Sequence, residues 1–277
     1  MDPEILKFDP KAGDPETLAI GLRRVLAPNP SPMTFRGTNT YLVGERELAV
    51  IDPGPDSDSH LEALLAALTP GQSISHIVVT HAHIDHSPLA AQLAKRTGAK
   101  IWAFGDASAG RSPVMQDLAS QGLAGGGEGV DAAFQPDQIV GHGDQISGDG
   151  WTLDAIHTPG HFGNHLAFGW NDVCFTGDHV MGWASSLVSP PDGDLTDFMA
   201  SSGQRMENLS RRPRCPNHNP RCAAGLVNRA PFRPRSRNSS GPFCWPVTRL
   251  RYCLPHLYRN SNSPNGSRHS QCFCAPC

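Results

Sequence analysis

The first 202 residues predict an α/β domain of layered helices and sheets. Two observations carry this: short apolar runs alternate with stretches of helical spacing, and Gly, Pro, Asn and Asp punctuate the joins. A third sets its limit. From residue 203 to 277 both periods stop, and Arg, Pro, Ser and Cys dominate. The chain therefore divides into a domain over 1–202 and an aberrant tail over 203–277.

The elements follow in order. ELAVIDPG at 47–54 is a strand running into a Pro-Gly turn. SHLEALLAAL at 59–68 has apolar residues at helical spacing, with Ser57 or Ser59 as N-cap. HIVVT at 76–80 is a buried strand, and PLAAQLAKRTG at 88–98 a helix that Gly98 stops. KIWAF at 100–104 is the next strand. Residues 105–135, rich in Gly, Ala and Ser, form an irregular insertion with room for one short helix. WTLDAIHTPG, HLAFGW and DVCFTGD are strands between Gly, Asn and Asp turns. LTDFMASS at 195–202 starts another helix.

Charge and cysteine divide the same way. The first 207 residues hold all 26 acidic side chains against eleven basic ones, while the last 70 hold twelve arginines and neither acid nor lysine. Only Cys174 precedes the break, which points to a reducing compartment, and so to the cytoplasm, and away from a disulfide scaffold. The start, MDPEILKFDP, lacks the basic and apolar regions of a signal peptide. No apolar run reaches the roughly 18 residues of a membrane span.

THAHIDH at 80–86 carries the chemistry. Three histidines and an aspartate within six positions are a dense set of metal ligands. Side chains alternate along extended backbone, so His81 and His83 face one side where the strand ends. Asp85 and His86 then fall at the start of the next helix. Such a set suits two adjacent ions, which in two-metal hydrolytic sites lie about 3.5–4 Å apart. A catalytic zinc takes about three protein ligands and keeps one position open, so further ligands must come from downstream. TPGH puts His161 on a tight turn after a strand, and TGDH puts Asp178 at a strand end, where a carboxylate can bridge both ions.

THAHIDH, TPGH and FTGD, with GTNTYLVG at 37–44 and VIDPG at 50–54, resemble the metallo-β-lactamase superfamily over roughly residues 15–202. The nearest branch is that of the glyoxalase-II-like and lactamase-β-2-like hydrolases. The resemblance implies an αββα sandwich with a dinuclear zinc site at its edge. His81, His83 and His161 would hold the first ion; Asp85 and His86 would hold the second, with Asp178 bridging. Asp52 would steady the HxHxDH loop. The implied reaction is hydrolysis of an ester, thioester, lactam or phosphodiester of a small-molecule substrate by a metal-bound hydroxide, with Asp85 accepting or relaying a proton. The alternative is a non-catalytic, metal-binding remnant of that family. His157 and His179 match no ligand position, and His60, His76, His142 and His165 read as ordinary. Trp183 and the SPPDGD segment at 189–194 read as packing rather than a substrate loop. Gly125, Gly126 and Gly127 form a flexible loop, not a phosphate cradle.

The tail departs from the family pattern, which ends in one more histidine, usually in a Pro-Gly-His-Gly turn, and then closing helices. PNHNP at 216–220 offers His218 in only a loosely similar setting. Cys272, Cys274 and Cys277 complete no regular four-ligand set. Twelve arginines could contact phosphates, but lysines and aromatics are too few to support a nucleic-acid partner. With so few periodic apolar residues the tail is expected to be disordered, leaving the sandwich incomplete, at most one zinc tightly held, and poor solubility. Oligomeric state has no signal. A run without Asp, Glu or Lys is the mark of codons read out of phase, and codon degeneracy allows a one-base shift to restore an amphipathic helix over 221–236 and a Gly-His-Gly turn over 212–216. The coding DNA is expected to show that shifted frame; an intact frame ending in this tail and shared by sister genes would overturn it.

Overall fold

Strand β4 (Glu47–Ile51) shows how the layers stack. Its residues alternate between two cores, as side chains on extended backbone must. Leu48 and Val50 join Leu61, Leu64, Leu89 and Leu93, which belong to helices α1 (Asp58–Ala66) and α2 (Leu89–Thr97). Ala49 and Ile51 join Trp151, Leu153 and Phe168 of a second sheet. One face of β4 thus meets helices and the other meets strands. Each fully buried leucine there adds roughly 1.5–3 kcal/mol.

The structure, a computed structural model, describes residues 8–123 and 129–210. The Gly125–Gly127 loop, His218, the cysteines from Cys215 onward and the reading of the tail beyond Ser210 lie outside the described residues. So does the expectation that the family's closing helices are missing.

The first sheet runs β1 (Pro15–Ala19), β2 (Leu22–Leu26), β3 (Asn39–Val43), β4, β5 (Ser73–Val78), β6 (Lys100–Ala103) and β7 (Gln138–Ile139) in spatial order. It is antiparallel as far as β4 and parallel beyond it. The change follows from the connections: α1 and α2 carry the chain back between β4, β5 and β6, which parallel neighbours require. The second sheet is antiparallel, with β8 (Gln145–Gly148), β9 (Trp151–His157), β10 (Leu166–Trp170) and β11 (Val173–Phe175) in the order β11-β10-β9-β8. A short helix, α3 (Pro113–Ser120), lies in the 105–135 insertion, and α4 (Leu195–Ser210) continues past Ser202. No helix among the described residues is long and apolar enough to cross a membrane.

Local sequence explains the boundaries. Ser57 caps α1 by accepting from the His60 N–H. Gly98 ends α2 in the left-handed region at φ 76°, where its N–H closes on Ala94 O. β5 starts three residues before the HIVVT run, and its register with β4 shifts between Leu48 and Ala49. The shift puts Ile74 and Ile77, an odd number apart, in the same core. Asp85 and His86 do not begin the helix as expected. They lie in a turn closed by the His86 and Ser87 N–H groups, both donating to His83 O, and α2 starts only after Pro88.

Four segments leave the carboxyl ends of β4, β5, β9 and β11 along one edge of the stacked sheets: Asp52, Thr80–His86, Thr158–His161 and the 3-10 turn Gly177–His179. This edge is where sites collect in layered α/β folds.

Buried His60 gives the fold a pH dependence. Its Nε2 lies 2.9 Å from the Thr40 hydroxyl, and burial pushes its pKa down to about 4. The unfolded chain takes up that proton near pH 6.5 while the folded one refuses it, so stability present above pH 6.5 is lost as pH falls towards 4. Urea unfolding of His60→Gln is expected to lose about 3 kcal/mol less than the parent between pH 7 and pH 4. Parallel losses in the two proteins would refute this.

Candidate metal centre

Three imidazoles meet in the interior. His83 Nδ1 lies 2.9 Å from His81 Nε2 and 3.1 Å from His161 Nε2, and all three residues are buried. The neighbours of each ring decide which nitrogen carries its proton. Thr80 gives its only hydroxyl proton to Asp52 Oδ2 at 2.9 Å, so His81 Nδ1, 2.9 Å from the same hydroxyl, must donate. His161 Nδ1 donates to the Leu187 carbonyl at 2.6 Å. Both rings therefore turn an Nε2 lone pair towards His83 Nδ1. A single proton on that nitrogen satisfies only one of them well, whereas a cation at the centre satisfies all three. Ligand atoms around a tetrahedral zinc at about 2.0–2.1 Å sit roughly 3.3 Å apart, close to the observed spacing.

A second group adjoins the first. The ligand atoms of His81, His86 and Asp178 also lie within 4.8 Å of one another, so His81 belongs to both groups. His86 Nδ1 faces Asp52 Oδ2 at 3.0 Å, which leaves Nε2 for the site. That Nε2 is 3.2 Å from Asp85 Oδ2 and 3.4 Å from Asp178 Oδ1. The other Asp178 oxygen is 3.8 Å from His161 Nε2, so this carboxylate faces both groups. Asp85 stands beside the second group without joining either set. Its Oδ1 is buried and has no hydrogen-bond partner among the described residues, an acceptor suited to an ion or to a proton on a bound molecule.

Electrostatics separates the two groups. Burial, and then the neighbouring histidines, hold His81 well below the usual histidine range; burial, and then His161, hold His83 down to about 3. Both rings are neutral, as ligands must be. Burial also disfavours a charged His86, but Asp85, Asp178 and Asp52 outweigh it and push its pKa well up. Burial works against the charge on Asp85 and Asp178 too, and His86 keeps both below the usual carboxylate range. The carboxylates thus favour positive charge at the second group.

Local sequence places these groups. Asp52, at φ 52° just after β4, accepts from the Thr80 N–H at 2.7 Å as well as from the Thr80 hydroxyl, and so ties the THAHIDH loop to β4. Ala82 and Ile84 pair with residues 129–131 through Asp131 N–H to Ala82 O and Ile84 N–H to Gly129 O. His157 stacks on Phe104 and donates to Gly163 O, and neither His157 nor His179, His165, His142, His76 or His60 joins a ligand group. Trp183 stacks on Phe35 at 5.6 Å. A cleft of about 210 Å³ opens beside His83 and His161, lined by Val130, Leu187, Ser189 and Asp192. Thr80, Val130 and the Leu187 carbonyl were not singled out by the sequence, and the SPPDGD segment, read as packing, places Ser189 and Asp192 on the cleft wall.

Residues 33–216 match a family model described as the metallo-beta-lactamase superfamily. An atrochrysone carboxyl ACP thioesterase of Cryptosporiopsis is 29% identical over 76% of this chain and 57% of its own length. A beta-lactamase-like protein 2 homologue of Caenorhabditis elegans is 29% identical over 74% of this chain and 63% of its own. A beta-lactamase domain protein of Burkholderia ambifaria superposes with a TM-score of 0.55 at 22% identity, over 72% of this chain and 69% of that one. The chain belongs to the metallo-β-lactamase superfamily and has its fold, and the worm homologue fits the lactamase-β-2-like branch. It spans less than two thirds of the length of these two curated relatives.

Asp52→Asn tests the proton assignments. The new amide donates where the carboxylate accepted, which reverses Thr80 and with it both His81 and His86. Metal affinity at both groups is expected to drop about 10- to 100-fold in chelator competition. Unchanged affinity in a folded variant would refute the assignments.

Proposed function

We propose that this chain is a zinc-dependent hydrolase acting on a small acyl substrate, with a thioester as the favoured bond and ester, lactam and phosphodiester as the alternatives. What carries the reading is the convergence of His81 Nε2, His83 Nδ1 and His161 Nε2 on one point, with Asp178 facing both this group and the next. The thioesterase name of the Cryptosporiopsis relative favours a thioester. Zinc fits the first ligand group; because His81 offers a single free lone pair, a second ion would rest on His86 and Asp178 with Asp85 beside them, and so be held less tightly. The single cysteine of the first 202 residues fits a cytoplasmic setting.

Zinc bound here would supply a Lewis acid and lower the pKa of its water from 15.7 to about 7. The chain's own residues do the rest. Burial holds His81 and His83 neutral, and the hydrogen bonds made by Nδ1 turn the Nε2 lone pairs of His81 and His161 inward. Asp85 offers its unpartnered Oδ1 as the acceptor for a proton leaving the attacking water. Val130 and Leu187 line an apolar wall for the acyl group, while Ser189 and Asp192 bring polar contacts to the same cleft.

The test is a panel of thioesters, esters, lactams and RNA, assayed with chelator and after zinc is restored. Thioester turnover is expected to vanish with chelator and return with zinc. His161→Ala should lower it by more than the about 100-fold that a lost outer-sphere partner can cost. Zinc uptake without turnover of any member would instead favour the metal-binding remnant.

A further inference from the structure

The GTNTY segment at 37–41 has no role in the reading above, and its first threonine reaches the site. Thr38 donates its hydroxyl proton to Asp85 Oδ2 at 3.0 Å across 47 residues of sequence. The direction is fixed by Asn29. Asn29 Oδ1 accepts from the Thr38 N–H at 2.9 Å, so its amide nitrogen must be the atom 3.1 Å from the Thr38 hydroxyl. An amide nitrogen only donates. The hydroxyl therefore accepts from Asn29, and its own proton goes to Asp85.

The loop that presents this pair is closed on itself. The Ala27 N–H donates to Thr38 O. Gly37, at φ 136°, brings its backbone so close to Ala27 O that a side chain there would collide with it. Ser31 and Thr34 hydroxyls lie 2.9 Å apart within the same loop. Thr38 and Asn29 are thus anchored before Asp85 reaches them.

We infer that Asn29 and Thr38 are a positioning pair that fixes the Asp85 carboxylate against the second ligand group, and so sets how firmly the second ion is held. The inference rests on reading His86 and Asp178, beside the shared His81, as the holders of a second ion. With Oδ2 held by Thr38 and set against His86 Nε2, the carboxylate cannot rotate, and Oδ1 stays unpartnered on the other side. Without the hydroxyl, Oδ2 loses the one neutral donor it has among the described residues, and His86 is left to steer the carboxylate.

Cobalt titration of the full chain, followed by its d–d absorption and by chelator competition, tests this without any substrate. The parent is expected to bind one ion tightly and a second more weakly. Thr38→Val should weaken the second about 10- to 100-fold and shift its bands, leaving the first unmoved. Thr38→Ser should restore both. Asn29→Asp keeps an acceptor for the Thr38 N–H but draws the hydroxyl proton to itself, so it should mimic Thr38→Val, and it carries the test if the valine variant does not fold. Parent-like titration of Thr38→Val or Asn29→Asp, equal weakening of both ions, or uptake of a single ion by the parent would each overturn the inference. A chain that behaves as expected with cobalt but hydrolyses nothing would remove the proposed activity and leave this inference standing.

Discussion

Lone pairs repel, and His81 and His161 both point theirs at one nitrogen, His83 Nδ1. Each ring has surrendered its Nδ1 proton to a fixed oxygen: the Thr80 hydroxyl for His81 and the Leu187 carbonyl for His161. With that choice made, neither can relieve the crowding by changing tautomer. Burial removes the other escape, since protonating either His81 or His83 would place a charge where little solvent reaches it. What remains is to share a cation. The rest of the edge serves that constraint. Asp52 holds Thr80, Thr80 holds His81, and Asp52 also holds His86, so a single carboxylate at the end of β4 sets two rings at once.

The stacking of layers makes such an edge possible. β4 and β5 deliver Asp52 and the THAHIDH loop from the first sheet, whereas β9 and β11 deliver His161 and Asp178 from the second. The ligands of each group therefore come from both sheets. Their spacing depends on how the sheets pack, and the interface that sets it is dense with Trp151, Leu153, Phe168 and Phe175. Close-packed interiors transmit displacement and do not absorb it. A site whose ligand atoms must sit within a few tenths of an ångström gains from that stiffness.

Much of this was legible in the sequence, and particular residues show where legibility ended. Ser57 and Gly98 announced both ends of the helical region because capping chemistry is local. The candidate ligands His81, His83 and His86 stood out because imidazoles crowd together in a sequence only for a reason, and His161 and Asp178 through the TPGH and TGD turns after strands. The start of β5 was hidden: its register shift breaks the two-residue period between Ile74 and Ile77, so Ser73–Ser75 did not look like part of the HIVVT strand. The turn at 83–88 was also misplaced, since a backbone carbonyl, His83 O, holds it, and carbonyls have no residue type to read. The same reason hid Leu187. Its contribution to His161 is a carbonyl oxygen 26 residues away.

The two ligand groups also differ in what they depend on. In the first, all three donors are buried imidazoles, and His81 and His161 are held by hydrogen bonds from Nδ1. In the second, Asp85, Asp178 and Asp52 surround one imidazole, and together they raise its preference for a proton. A proton and a metal ion compete for the same His86 nitrogen, so the carboxylates attract the ion and hold its competitor at once. Geometry breaks that tie. A proton needs only one acceptor in line with it, whereas an ion needs several donors at equal reach. The fixed orientation of Asp178, turned with one oxygen to each group, favours the ion by offering a ligand that a proton on His86 uses only in part. Which cation wins at the second group is therefore decided by how rigidly its carboxylates are aimed.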